Sequence, residues 1–198
     1  LERAVCDQMN EYLEKRKILF EHQSGFRGRY STDTCLADLT DYVKGEMSAG
    51  RLVGMVCIDL RKAFDTVDHS VLLDKLHLIG AADSALNWFR SYLSDRQQCV
   101  EVCGCASSFM NISCGVPQGS ILGPQLFLIY INDMHSALTC RLSLYADDLA
   151  LFFSHKDSAC IADCLSTELS NCKAWLTDNG LSLHIGKTEC LLFGTKRK

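Results

Sequence analysis

Three absences narrow the field before any motif is read. Proline is nearly missing, with 2 in 198 residues, while 13 glycines are an ordinary complement. Hydrophobic residues make up 47% and charged residues 22%, which excludes collagen-like, low-complexity and disordered chains and leaves one able to bury a real core. No apolar run is long enough to cross a bilayer. The longest, Ile121 to Ile131, is broken by Gly123, Pro124 and Gln125 and falls short of the roughly 20 residues a spanning helix needs. An excess of positive charge is also lacking. Lys+Arg number 20 against 24 Asp+Glu, a formal net charge of -4, so the total does not announce a polyanion partner. The basic residues gather only in short runs such as Arg27-Gly28-Arg29 and Arg61-Lys62. The chain opens Leu1-Glu2-Arg3, with neither an initiator Met nor a secretory pattern, and reads as an excerpt of a longer protein.

Cysteine is abundant, with 12 in the chain. They are scattered through apolar contexts such as Val56-Cys57-Ile58, and no Cys-x-x-Cys pair occurs. The expectation is free thiols acting as small hydrophobes, not a disulfide framework or a zinc site.

Hydrophobic spacing divides the chain into elements. Val5, Met9 and Leu13 fit a first helix. Ser31 or Thr32 caps a second, with a stripe of Leu36, Leu39, Val43 and Met47 closed by Gly50. Leu52 to Ile58 is a continuous apolar run of strand length, suited to burial on both faces, and Asp59 stands at its end. Two amphipathic helices follow, Ser70 to Ile79 and Asp83 to about Asp95. Next come a hairpin (Gln97 to Cys103, Ser108 to Ser113), the loop Gly115-Val116-Pro117-Gln118-Gly119 and an apolar helix to about Leu138. Arg141 to Ala146 and Leu149 to Phe153 read as strands joined tightly through Asp147-Asp148. A helix from Ser158 to Thr177 and a strand pair within Leu181 to Phe193 complete the series. Mixed elements with antiparallel pairs predict an α+β fold.

The acids carry the chemistry. Asp59 ends an apolar strand, and Asp147-Asp148 occupy a tight turn where glycine is the usual choice. Taken alone, an Asp pair is a common turn and Asp59 a helix cap. Taken together on one sheet, the three carboxylates would meet at one edge, where adjacent like charges invite a hard cation. Two such ions about 4 Å apart stabilise the attacking and leaving oxygens of a phosphoryl displacement.

The segments around these acids carry a resemblance. Gln23-Ser24-Gly25-Phe26-Arg27, Asp59-Leu60-Arg61-Lys62-Ala63-Phe64-Asp65, Gly115-Val116-Pro117-Gln118-Gly119, Tyr145-Ala146-Asp147-Asp148 and Gly180 to Thr188 occur in that order. With these the chain resembles the reverse transcriptase domain of non-LTR (LINE-type) retrotransposons. The resemblance implies a polymerase palm, an antiparallel sheet packed on helices (residues 51–198), preceded by partial fingers (residues 1–50). It implies RNA-directed DNA polymerase activity on an RNA template, a DNA primer and dNTPs. Two Mg2+ ions, with Mn2+ as an alternative, would be held by Asp59, the Leu60 carbonyl, Asp147 and Asp148. It further places the Lys62 and Ala63 amides against the triphosphate and Phe64 against the sugar as a steric gate. Gln118 and Gly119 fall beside the nascent pair, Lys187 as a proton donor to pyrophosphate, and Arg27 and Arg29 on nucleic-acid backbone. His184 stands where the family usually has Asn, and the family's upstream fingers arginine and downstream thumb fall outside this stretch. Two other readings stay open on the residues alone: a catalytically silent, nucleic-acid-binding or structural excerpt of that domain, and a metal-dependent phosphohydrolase.

Overall fold

The computed structural model describes residues 1–194. Its organising element is strand β1 (Leu52–Ile58), whose apolar residues are almost all buried. It lies inside an antiparallel four-stranded sheet with β6 (Arg141–Tyr145), β7 (Asp148–His155) and β8 (Glu189–Phe193), in the order β6-β7-β1-β8. The register sets Ile58 opposite Leu149 and Val53 opposite Phe193.

Helix α1 (Glu2–Lys15) precedes helix α2 (Thr32–Ser48). A reciprocal cap starts α2: Thr34 N–H donates to Ser31 Oγ, and Ser31 N–H donates to Thr34 Oγ1. The helix packs on one face of the sheet, where Leu39, Val43 and Met47 meet Val53, Met55 and Phe152. Leu36, expected in that stripe, is exposed. Helix α6 (Ser158–Asp178) covers the opposite face so closely that a Cβ on Gly54 would lie 2.3 Å from Ile161 Cγ2.

Helices α3 (His69–Leu78) and α4 (Asp83–Leu93) pack beside α5 (Gly123–Ile131). Eight of the nine α5 residues are buried, as expected of a helix apolar all round. Tyr130 on α5 donates its hydroxyl to Asn179 O and accepts from Asp68 N–H, tying three segments together. Cys6, Leu13 and Leu19 enter this same core from the first part of the chain. All 12 cysteines are free.

Four expectations are corrected. The apolar helix stops at Ile131, and a six-residue 3-10 segment, Asn132–Ala137, finishes it. The hairpin after α4 is two short exposed ladders, β2 (Gln97–Gln98) with β5 (Met110–Asn111) and β3 (Glu101–Val102) with β4 (Cys105–Ala106). Without a buried face, pairing there is not reinforced by packing. Of the final pair only β8 is a strand. Leu183 instead bridges Leu60, while Ile185–Lys187 forms a 3-10 turn. Lastly, Tyr145 pairs with Asp148, so the central turn residues are Ala146 and Asp147, and Asp148 already belongs to β7. Ala146 takes φ 56° and Asp147 does not turn positive, the pattern of a type II′ turn.

Candidate functional site

The sheet register draws the acids together. Ile58 faces Leu149, so the next step along both strands places Asp59 across from Asp148, on the face that also carries Cys57 and Ala150 toward α2. Asp59 and Asp148 line a cleft of about 410 Å³ with Tyr145 and Lys187. Asp147 sits in the adjoining turn. Beyond β1, Asp59 C=O accepts from His184 N–H at 2.8 Å and Arg61 N–H donates to Ser182 O at 2.9 Å. Both bonds lie on the β8 side, which turns the Leu60 carbonyl toward the β7 side, where the acids are.

The electrostatics are those of crowded anions. Burial raises the Asp148 carboxyl above its ordinary value, and the negative charges of Asp147 and Asp59 raise it further, with Lys187 opposing. Lys187 Nζ lies 3.4 Å from Asp59 Oδ2. Among the described residues no three Cys, His, Asp or Glu side chains are gathered closely enough to enclose a metal ion. The donor set nevertheless suits a hard cation: three carboxylates at one edge, two of them raising the third, and a backbone carbonyl on the same side.

The turn bearing Asp147 is clamped from outside the hairpin. Gln23, 2% exposed, accepts from Ala146 N–H at 3.1 Å and from Gly25 N–H at 2.7 Å through Oε1, and Nε2 donates to Ala146 O at 3.5 Å. A Cβ on Gly25 would lie 2.2 Å from Ala146 N, so this position requires glycine. The residues alone do not reveal Gln23: its partners are 123 positions away, and it stands in an otherwise polar stretch.

A second cluster forms at the turn after β1. Lys62 adopts φ 46° and caps a 3-10 turn, Ala63–Asp65. Among the described residues the Lys62 and Ala63 amides have no backbone acceptor. The half-buried Phe64 ring stacks on Phe127 at 4.3 Å between centroids and meets Phe26 edge-on at 6.2 Å. It therefore takes part in the core as well as bordering the site. Val116 N–H donates to Phe64 O at 2.8 Å, bringing the Pro117-Gln118-Gly119 loop alongside. Gly119 stands at φ 77° with open space around it, so its requirement is conformational.

The two arginines are placed differently. Arg27, with a side chain 8% exposed, donates to Glu14 Oε1 and Oε2 and to the carbonyls of Phe20 and Gln23. Its fork is used to fold the segment around Gln23, which leaves little for a phosphate. Arg29 is exposed, at φ 71°.

Comparison with known proteins meets this geometry here. The family model described as "Reverse transcriptase (RNA-dependent DNA polymerase)" matches residues 1–197. The chain belongs to the reverse transcriptase family. A probable RNA-directed DNA polymerase from transposon BS of Drosophila melanogaster is 32% identical over 187 residues, covering 88% of this chain and 20% of that protein. The RNA-directed DNA polymerase from mobile element jockey of Drosophila funebris is 29% identical, over 98% of this chain and 22% of its own length. The chain thus spans about a fifth of the length of these relatives. A structure of Candida albicans telomerase in complex with a TWJ fragment of telomeric RNA aligns over 99% of this chain and 35% of its own, with TM-score 0.72 and 15% identity. Apo telomerase from Candida tropicalis, truncated from its C-terminal domain, aligns over the whole of this chain and 41% of its own at TM-score 0.70, also at 15% identity. The fold is therefore that of reverse transcriptases, and the retroelement resemblance holds along most of the chain. Reverse transcriptases generally use divalent metal ions.

Proposed function

We propose that this reverse transcriptase chain supplies the nucleotidyl-transfer centre of an RNA-directed DNA polymerase of a non-LTR retroelement, adding deoxynucleotides to a primer 3′-OH on an RNA template. The observation that carries the reading is the meeting of Asp59, at the end of β1, with Asp147 and Asp148 at the start of β7. Asp59, Asp147, Asp148 and the Leu60 carbonyl would hold two Mg2+ ions, which when bound neutralise charge developing on the attacking and leaving oxygens.

The chain's own residues do the rest. The Gln23 clamp fixes the turn from which Asp147 projects, so the carboxylate is positioned before any ligand arrives. Lys187 restrains Asp59 through its ion pair and carries a proton at Nζ on the rim of the same cleft, a placement consistent with proton donation to a leaving pyrophosphate. The Lys62 and Ala63 amides offer donors for a triphosphate. Phe64 stands as the group that excludes a 2′-OH, the feature separating ribo- from deoxyribonucleotides. Arg29 remains exposed for a template phosphate, a contact that positions without specifying sequence.

The test is primer extension by the full-length protein and its Asp147→Asn variant. Loss of one ligand charge should lower nucleotide addition by on the order of 10² to 10³-fold or more, with an unchanged melting transition. Undiminished extension by the variant would remove Asp147 from the centre.

A further inference from the structure

Beside the acidic edge, one contact has no part in the reading above. Asp65 follows Phe64 in the turn, and its Oδ1 accepts a hydrogen bond of 2.6 Å from Gln118 Nε2. Among the described residues no Lys, Arg or His pairs with Asp65, so the amide is its ordered partner. The base beneath both side chains is stitched together. Gly115 N–H donates to Val67 O at 2.7 Å, Val116 N–H to Phe64 O at 2.8 Å, and Asp68 bridges Cys114. Gly115 stands at φ 90°, and a Cβ there would lie 2.7 Å from Asp65 O. Two short side chains rising from one fixed base lose little freedom on pairing.

We propose that Asp65 is a positioning residue that sets the hydrogen-bonding polarity of Gln118 toward the nucleotide. A carboxylate accepts and does not donate, so an amide bonded to it must turn its NH2 toward Asp65 and its carbonyl away. Both residues line a cavity of about 920 Å³ shared with Lys62. What Gln118 offers to that cavity is therefore an acceptor. A phosphate oxygen is itself an acceptor and gains nothing from it, whereas a sugar hydroxyl brings the matching donor. The inference rests on the polymerase reading and deepens it: Gln118 Oε1 receives a hydroxyl of the incoming sugar, which in a deoxynucleotide is the 3′-OH.

The experiment measures kcat and KM of the full-length protein for a dNTP and its 2′,3′-dideoxy counterpart, with thermal melts alongside. One neutral hydrogen bond contributes about 1 kcal/mol, or roughly fivefold. In Asp65→Ala and in Gln118→Glu the preference for dNTP over ddNTP should fall about three- to tenfold, mainly through KM. Gln118→Glu sets two carboxylates against each other. Adding Asp65→Asn restores a donor to that pair and again leaves an acceptor toward the cavity, so the double variant should recover most of the preference. A merely structural role would lower the melting temperature and reduce both substrates equally. An active Asp65→Ala protein with unchanged preference, or a double variant no better than Gln118→Glu, would overturn the role of Asp65 while leaving the polymerase reading standing. A wild-type protein that extends no primer would overturn that reading, and this inference with it.

Discussion

The two faces of the central sheet are covered to different depths. On one, Val56, Ile58, Leu142, Leu144, Leu149 and Leu151 meet α6, with the buried helix α5 in the same core. On the other, four buried residues, Val43, Val53, Met55 and Phe152, make the whole cluster under α2. Past the edge of that thin layer the same face carries Asp59 and Asp148 into an open cleft. Alternation along a strand makes the two faces inseparable: each residue step that buries a side chain on the thick face presents the next to the thin one. The thick face supplies stability, and that surplus allows the thin face to hold mutually repelling carboxylates at its rim.

The largest expected effect measures this difference in depth. Phe127, fully buried in the thick core and stacked on Phe64, should cost about 3 to 5 kcal/mol on substitution by Ala. Leu39, half-buried under α2, should cost about 1 kcal/mol. Denaturant melts of the two variants decide the matter, and equal losses would break the contrast between faces.

Phe64 lies on the border and sharpens the comparison at a single residue. If its ring covers the 2′ position of the incoming sugar, Phe64→Val should raise ribonucleotide relative to deoxynucleotide incorporation by about 1 to 3 kcal/mol of discrimination. Because the same ring stacks on Phe127, the melting temperature should fall as well. Steady-state incorporation of dNTP and rNTP on one primer and template separates the two effects. A lowered melting temperature with an unchanged sugar ratio would assign Phe64 to the core alone.

How far the sequence discloses this arrangement depends on whether a feature is local. The run Leu52 to Ile58 and the helical spacings of α1 to α4 and α6 are local patterns, and the structure has those elements at nearly the expected places. The acids were visible because Asp59 ends an apolar run and Asp147-Asp148 interrupt two others. The turn itself was misplaced by one residue, since hairpin register is set by cross-strand pairing and not by which residues favour turns. The segment after Gly180 was misread for a related reason. Leu183 alternates like a strand residue, yet it pairs with Leu60, 123 positions earlier in the chain. Gln23 and Asp65 left no periodic signal at all, because each acts through one distant partner. Arg27 illustrates the converse: a basic residue in a basic cluster looks like a phosphate ligand until the carboxylate of Glu14 and two carbonyls are found to occupy it.

The smallest effect tests whether the thin face is under electrostatic load. Burial raises the Asp148 carboxyl, and Asp147 and Asp59 raise it further. An acid whose folded value lies above its unfolded one binds its proton more tightly when folded. Its ionisation therefore costs stability as pH rises from the unfolded value, 3.8, through the raised folded value. Above that window the penalty is complete, and below it the penalty is gone. Asp148→Asn removes the charge, so in metal-free buffer the variant should be more stable than wild type at neutral pH. The side chain is exposed and solvent screens it, which limits the gain to about 0.5 kcal/mol. The difference should shrink as pH falls through the window, where wild type becomes protonated and equally relieved. Adding Mg2+ should act in the opposite sense, stabilising wild type more than the variant by mass action on a more anionic site. Denaturant melts at neutral and acid pH, each with and without Mg2+, read all these arms. A variant less stable than wild type at neutral pH in the absence of metal would mean that Asp148 is held by favourable contacts and not strained by its neighbours, and the account of the thin face as a loaded edge would fail.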